Sequence, residues 1–220
     1  MKKKIYIALV VDKSGSLREK AALIVKSLND MVDNIKNGPE LSGCDIYFTL
    51  VTFTEHVYPE IICCPIDKID RSKLELRFDG QTNPAPALRF AIGDAIEKTH
   101  EWAYSSEEYF KPLVFFMTDG RPEPDKFAED YDKAVQEFHS LIYDPRTKKN
   151  RCTIVGAGYG RADMERIRSL TGDLTIQIEN SDESLAAFFS DVVPKTIAEY
   201  STGEAEQFAR NFGKNIAGSV

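Results

Sequence analysis

Asp12, Ser14 and Ser16 stand at alternate positions directly after the apolar run "IYIALVV" (residues 5–11). A strand that reads as pure core therefore delivers one carboxylate and two hydroxyls to the same point. A Ser before a helix usually caps it, and Ser16 with Glu19 three residues on reads as a capping box. That accounts for one residue of the three. Asp12 and Ser14 remain, and their side chains must converge beyond the strand end. Oxygen donors spaced by two on a loop suit a hard cation: Mg²⁺ takes near-octahedral oxygen ligands at about 2.1 Å and keeps several waters. Two hydroxyls with few carboxylates leave such a cation undercharged, and so attractive to a carboxylate from elsewhere.

Two further stretches carry matching oxygens. Asp119 ends the apolar run in "PLVFFMTDG", and Thr82 in "DGQTNPAPAL" immediately precedes a helical pattern. Taken singly, Thr82 reads equally well as a helix cap and Asp119 with Gly120 as a turn. Together with the first motif, in this order along the chain, they read as one site.

The elements that must position these residues alternate. Strands are expected over 4–12, 44–53, 56–64, 112–120, 152–158 and 174–178. Most are continuously apolar, as strands covered on both faces are. Pro59 demotes the third to an antiparallel edge strand. Between them, apolar residues at spacings of three and four mark helices: Leu17 to Ile35, Leu88 to Thr99, Phe127 to Leu141, and Met164 to Leu170, which Gly172 ends. A last helix begins at 182, and Pro194 is expected to kink or break it. Residues 67–83 read as a polar connection and "GAGYG" (156–160) as a plain turn. The pattern gives an α/β fold, a Rossmann-like doubly wound sheet of mostly parallel strands with helices on both faces. In such sheets ligands sit outside the carboxyl ends of the strands, where the strand order reverses; Asp12 and Asp119 both stand at such ends. One domain is expected over 1–200, with 201–220 a tail or short helix.

Composition narrows the partners. Net charge is −7 with 42% hydrophobic and 29% charged residues, and the only basic run is residues 2–4. Nucleic acid is therefore not an expected partner. No apolar run approaches the roughly 18 residues of a membrane span, and "IYIALVVD" reads as a strand rather than a signal peptide. Cys44, Cys63, Cys64 and Cys152 show neither metal-ligand spacing nor disulfide density, which favours a reducing cytoplasm.

The ordered set Asp12-x-Ser14-x-Ser16, Thr82 and Asp119 resembles the metal-ion-dependent adhesion site (MIDAS) of von Willebrand factor type A domains. "VTF" (51–53), "GQTNPAPAL" and "FMTDGRPEP" are similar to bacterial stand-alone members, including the TerY-like ones of tellurium-resistance and stress operons. The likeness runs over about residues 4 to 195. It implies six strands, one an antiparallel edge. It implies that Ser14 and Ser16 coordinate Mg²⁺ directly, that Asp12 and Asp119 act directly or through water, and that Thr82 switches between the two modes. Mn²⁺ or Ca²⁺ also suit such oxygens. A Glu or Asp of a partner protein completes the shell, with Lys13, Asn83, Arg121 and Glu123 expected on the rim that selects the partner. One departure is Gln81, where many members carry a second glycine before the threonine.

An enzymatic reading competes with the binding module. Haloacid-dehalogenase-like phosphotransferases also carry an aspartate at the first strand end, use it as nucleophile, and need an acid two residues later. Here that place holds Ser14. No G-x-G-x-x-G follows the first strand, no G-x-S-x-G elbow exists, and His56, His100 and His139 match no nucleophile pattern. A scaffold with an empty site is a third reading, opposed by the intact ligand set. The sequence thus reads as a metal-dependent protein-binding module rather than an enzyme.

Overall fold

The computed structural model describes residues 2–202. Its first strand, β1 (Lys3–Asp12), is buried almost throughout. A 3-10 turn (Gly15–Lys20) leads into α1 (Ala21–Asn37). Then come β2 (Cys44–Phe53) and β3 (Val57–Pro65). Two 3-10 turns, Ile66–Lys68 and Arg71–Leu74, precede α2 (Pro84–Tyr104) and β4 (Leu113–Thr118). After α3 (Asp125–Ile142) a small ribbon of β5 (Tyr143–Asp144) and β6 (Lys149–Asn150) leads to β7 (Thr153–Tyr159). Then follow α4 (Met164–Thr171), β8 (Thr175–Ile178), α5 (Asp182–Ala187), a π turn (Phe188–Val192) and α6 (Val193–Ser201). Among the described residues no helix is long and apolar enough to cross a membrane.

The six main strands lie in the order β3-β2-β1-β4-β7-β8. All pair in parallel except β3, which runs antiparallel to β2 at the edge, as Pro59 requires. Two register shifts interrupt the β2–β3 ladder. Period-two alternation divides the central strand between two cores. Ile5, Ile7, Leu9 and Val11 face α1, Phe188 and Phe189, while Tyr6, Ala8 and Val10 face α2, α3 and α4. Both faces are covered, which is why the strand shows no polar alternation.

Three local readings are corrected. Residues 67–83 are not simply a polar connection, since Leu74 and Phe78 reach into the α1-side core. Pro194 does not break the last helix, and the helical path continues to Ser201. The irregularity is the π turn just before it, a common way to absorb a disturbed ladder. Ser190 is four residues ahead of Pro194, which has no N–H to offer its carbonyl; that carbonyl accepts instead from the Asn34 side-chain amide at 2.8 Å. Only Gly160 of "GAGYG" lies in a turn. Gly156 and Gly158 lie inside β7, where a Cβ would stand 2.4 Å from Ile167 Cγ2 and 2.2 Å from Met164 Sδ respectively. They let α4 lie close against the sheet. The 201–220 tail lies outside the described residues from 203 onward.

Candidate metal centre

Strand order reverses between β1 and β4: from β1 the chain goes to β2 on one side, and from β2 and β3 it returns by α2 to β4 on the other. Loops leaving the carboxyl ends of β1 and β4 diverge and open a crevice. Asp12 is the last residue of β1 and is 0% exposed. Its Oδ1 accepts from the Ser14 backbone N–H at 2.8 Å, an Asx turn that swings the chain off the sheet. Its Oδ2 accepts from the Thr118 hydroxyl at 2.5 Å, across the β1–β4 pairing. Ser14 Oγ then lies 3.1 Å from Ser16 Oγ, and Ser16 Oγ donates to Asp119 Oδ1 at 2.8 Å. Ser16 is therefore not a helix cap. It sits inside the 3-10 turn and turns its hydroxyl toward β4, and the expected capping box with Glu19 does not form.

Thr82 does not cap α2 either; the cap position is Asn83, without a side-chain bond to the helix. The 79–83 loop that carries Thr82 is stitched to three neighbours by its backbone. Asp79 N–H donates to Lys13 O at 2.9 Å, and Gly15 N–H to Gly80 O at 3.1 Å. Asn83 N–H donates to Thr54 O at 2.9 Å, and Glu123 N–H to Thr82 O at 3.0 Å. Gly80 adopts φ +79°, a left-handed conformation natural to glycine. Gln81 keeps the loop in place by donating its N–H to Glu55 Oε2 at 2.9 Å, and that bond holds the Glu55 carboxyl below its usual range. Thr82 Oγ1 faces Gly120, 3.6 Å from where a Cβ there would stand. Ser16, Thr82 and Asp119 thus line one cleft of about 910 Å³ with Gly120, Arg121 and Glu123.

The carboxylates of this corner have no ion-pair partner among the described residues. Burial pushes the Asp119 carboxyl up to about 6, with the nearby Asp12 adding to it. Burial raises Asp12 as well, against the opposing donors Thr118 and Ser14. Lys13, although next to Asp12, is only 8% exposed and turns away. Its Nζ lies 3.1 Å from Glu60 Oε1 and 3.5 Å from the Tyr58 ring centre, so it does not stand on the rim as expected. Asn83 is also buried, and its Oδ1 has no partner among the described residues. Arg121 and Glu123 do line the cleft.

The donor set fits a hard divalent cation. Adjacent ligands of an octahedral ion with bonds of about 2.1 Å lie about 3.0 Å apart; the two spacings along Ser14, Ser16 and Asp119 are 3.1 and 2.8 Å. No group of three or more His, Cys, Asp or Glu side chains gathers among the described residues. Hydroxyls and two carboxylates make this a low-charge oxygen centre.

Residues 7–191 match the sequence profile of the von Willebrand factor type A domain. The chain belongs to that family. Solved structures share the fold of this von Willebrand domain. Proximal thread matrix protein 1 from the mussel byssus, in a form titled as having a zinc-occupied MIDAS motif, is 19% identical over 88% of this chain and 46% of its own, with a TM-score of 0.54. The pilus adhesin SpaC of Lactobacillus rhamnosus GG in its open conformation is 15% identical over 89% of this chain and 30% of its own, with a TM-score of 0.67. The PilB minor pilin of Streptococcus sanguinis is 14% identical over 90% and 62%, with a TM-score of 0.59. At these identities the likeness is one of fold, and the chain spans less than two thirds of each of these proteins. No curated protein matches the chain.

Thr118, Glu55 and Glu60 are the residues of this corner that sequence reasoning did not find. Thr118 carries a detectable signal only once β1 and β4 are known to be neighbours, since their register brings it beside Asp12.

Proposed function

We propose that this von Willebrand domain is a metal-dependent protein-binding module whose cation is held by Asp12, Ser14, Ser16, Thr82 and Asp119. The observation that carries the reading is the run of oxygens at 3.1 and 2.8 Å, from two loops, beside a buried carboxylate pair that makes no ion pair with a Lys or Arg among the described residues. Ser14 and Ser16 contribute neutral oxygens, Asp119 the accessible negative charge, and Thr82 a hydroxyl from the third loop. Asp12 anchors the first loop through Oδ1 and ties it to β4 through Oδ2. When bound, the cation supplies a coordination position for an external carboxylate, so the partner is a protein presenting Glu or Asp. Mg²⁺ is the proposed ion on donor hardness, with Mn²⁺ and Ca²⁺ as alternatives. The likeness to tellurium-resistance members and the four unpaired cysteines support a bacterial stress role in the cytoplasm.

The phosphotransferase reading is weaker on the same geometry. A nucleophilic Asp12 needs an acid two residues on to protonate the leaving group, and that place holds Ser14, whose hydroxyl lies 3.1 Å from Ser16 Oγ. None of the three histidines lines the cleft to act as a base.

Calorimetric titration of Mg²⁺ and Mn²⁺ into chelator-treated protein tests the proposal. Binding in the micromolar-to-millimolar range, lost in Asp12→Ala while circular dichroism shows the fold retained, is the expected result. Absence of binding of either ion to the wild type refutes the metal centre.

A further inference from the structure

The cleft extends well beyond the five oxygens. At about 910 Å³ it lies near the top of the roughly 300–1,000 Å³ range of small-molecule pockets. A single carboxylate at the Ser14–Ser16–Asp119 corner leaves most of it empty. Beyond that corner it continues over the carboxyl end of β7, lined by Tyr159, Gly160, Arg161 and Asn180. Gly160 has φ +60°, and Ala162 N–H donates to Tyr159 O at 3.1 Å, so the chain turns sharply and puts Arg161 at the tip.

Charges in this extension are segregated. Lys20 is engaged by Asp182 at 2.5 Å. Arg121 and Arg161 are exposed and make no ion pair or side-chain hydrogen bond with any described residue. They come from loops after β4 and β7, which are neighbours in the sheet. Glu123, a competing carboxylate of the lining, has its backbone bridged to Thr82. Glu19, another one, lies on the 3-10 turn after β1. Guanidinium groups grip carboxylates in a planar, two-pronged manner that a lysine cannot match. Two unengaged ones line the same cleft, on loops that follow neighbouring strands, and offer a second grip for an acid.

We propose that the cleft binds a partner segment carrying two acidic side chains, one at the metal corner and a second on Arg121 and Arg161. This inference rests on the metal-dependent reading above. It makes partner choice depend on the spacing of two acids rather than on the presence of one.

Selection of a random dodecapeptide display library on the immobilised, Mg²⁺-loaded full chain, with elution by EDTA, tests it. The expected peptides share two acidic residues at a fixed spacing. By fluorescence anisotropy, replacing the second acid with Gln, or making Arg161→Gln or Arg121→Gln, is expected to weaken binding tenfold or more. The two losses should not add, because each removes the same contact. EDTA-eluted peptides that share only one acid, or two-acid peptides indifferent to both arginine variants, overturn the second position and leave the metal reading standing. Peptides that stay bound in EDTA, or no enrichment over an Asp12→Ala control, overturn both.

Discussion

Gly80 is the most exacting position in the loop that carries Thr82, and Gly80→Ala is the perturbation whose size can be worked through. An alanine held at φ +79° costs about 1–2 kcal/mol from the clash of its Cβ with the following carbonyl. That Cβ would also stand 2.3 Å from Glu55 Oε2 and 3.1 Å from Thr54 Cβ. The carboxylate can rotate away cheaply, but it then releases the Gln81 N–H it accepts from at 2.9 Å. At a solvent-accessible site this bond is worth about 1 kcal/mol. The sum is about 2–3 kcal/mol, and for a domain of this size each kcal/mol moves Tm by roughly 2–4 °C. Thermal denaturation in chelator should therefore show a drop of about 4–12 °C. In a Glu55→Ala background only the backbone cost remains, so the additional drop from Gly80→Ala should shrink by about a third to a half. Mg²⁺ titration should show affinity reduced several-fold, because Thr82 is two residues away in the same loop. A Tm within about 1 °C of wild type would refute the reasoning that Gly80 is held in that conformation by its neighbours.

Other predictions address the buried oxygens and the sheet. Thr118→Val removes the hydroxyl bonded to Asp12 Oδ2 and leaves a buried carboxylate short of a donor. Stability should fall by about 1–3 kcal/mol, measured by urea denaturation, with a parallel loss of Mg²⁺ affinity. Gly156→Ala places a methyl 2.4 Å from Ile167 Cγ2 and 3.0 Å from Thr171. Overpacking of this kind costs about 1–3 kcal/mol, and the same denaturation series reads it. The Asp119 carboxyl, raised to about 6, gives opposite pH trends with and without metal. Without metal the folded state binds this proton more tightly than the unfolded one. The stabilisation is therefore full below the ordinary carboxylate pKa and lost as pH rises through about 6. A cation needs the deprotonated form, so Mg²⁺ affinity should fall as pH drops below about 6. The rise in Tm on adding Mg²⁺ should then be larger at pH 7.5 than at pH 5.

Much of this architecture is legible in the sequence because its causes are local. The apolar runs ending at Asp12 and Thr118 announce strands covered on both faces, and Pro59 announces the edge. What escapes is whatever depends on pairing between distant segments. Thr118 looks like one more strand threonine until register sets it beside Asp12. Lys13 looks like a free charge in a loop, but β3 folds back beside it and offers Glu60 and Tyr58. Ser16 fits a cap by its local signature, yet Asp119, 103 residues away, takes its hydroxyl. Gly156 and Gly158 read as part of a plain turn, whereas their role is absence of bulk where α4 approaches. In each case a long-range contact overrides a short-range preference.

The antiparallel strand at the sheet margin has a consequence for life at high protein concentration. A bare β edge invites another chain to add itself, which is a route to aggregates and fibres. Here the outermost strand β3 contains Pro59 and ends at Pro65, and its ladder with β2 slips twice. Each proline removes a donor from the backbone row, and each slip bends it. A second copy of the chain meets an interrupted template that resists continuous pairing. That resistance is written into the backbone, so it persists whatever side chains the surface acquires.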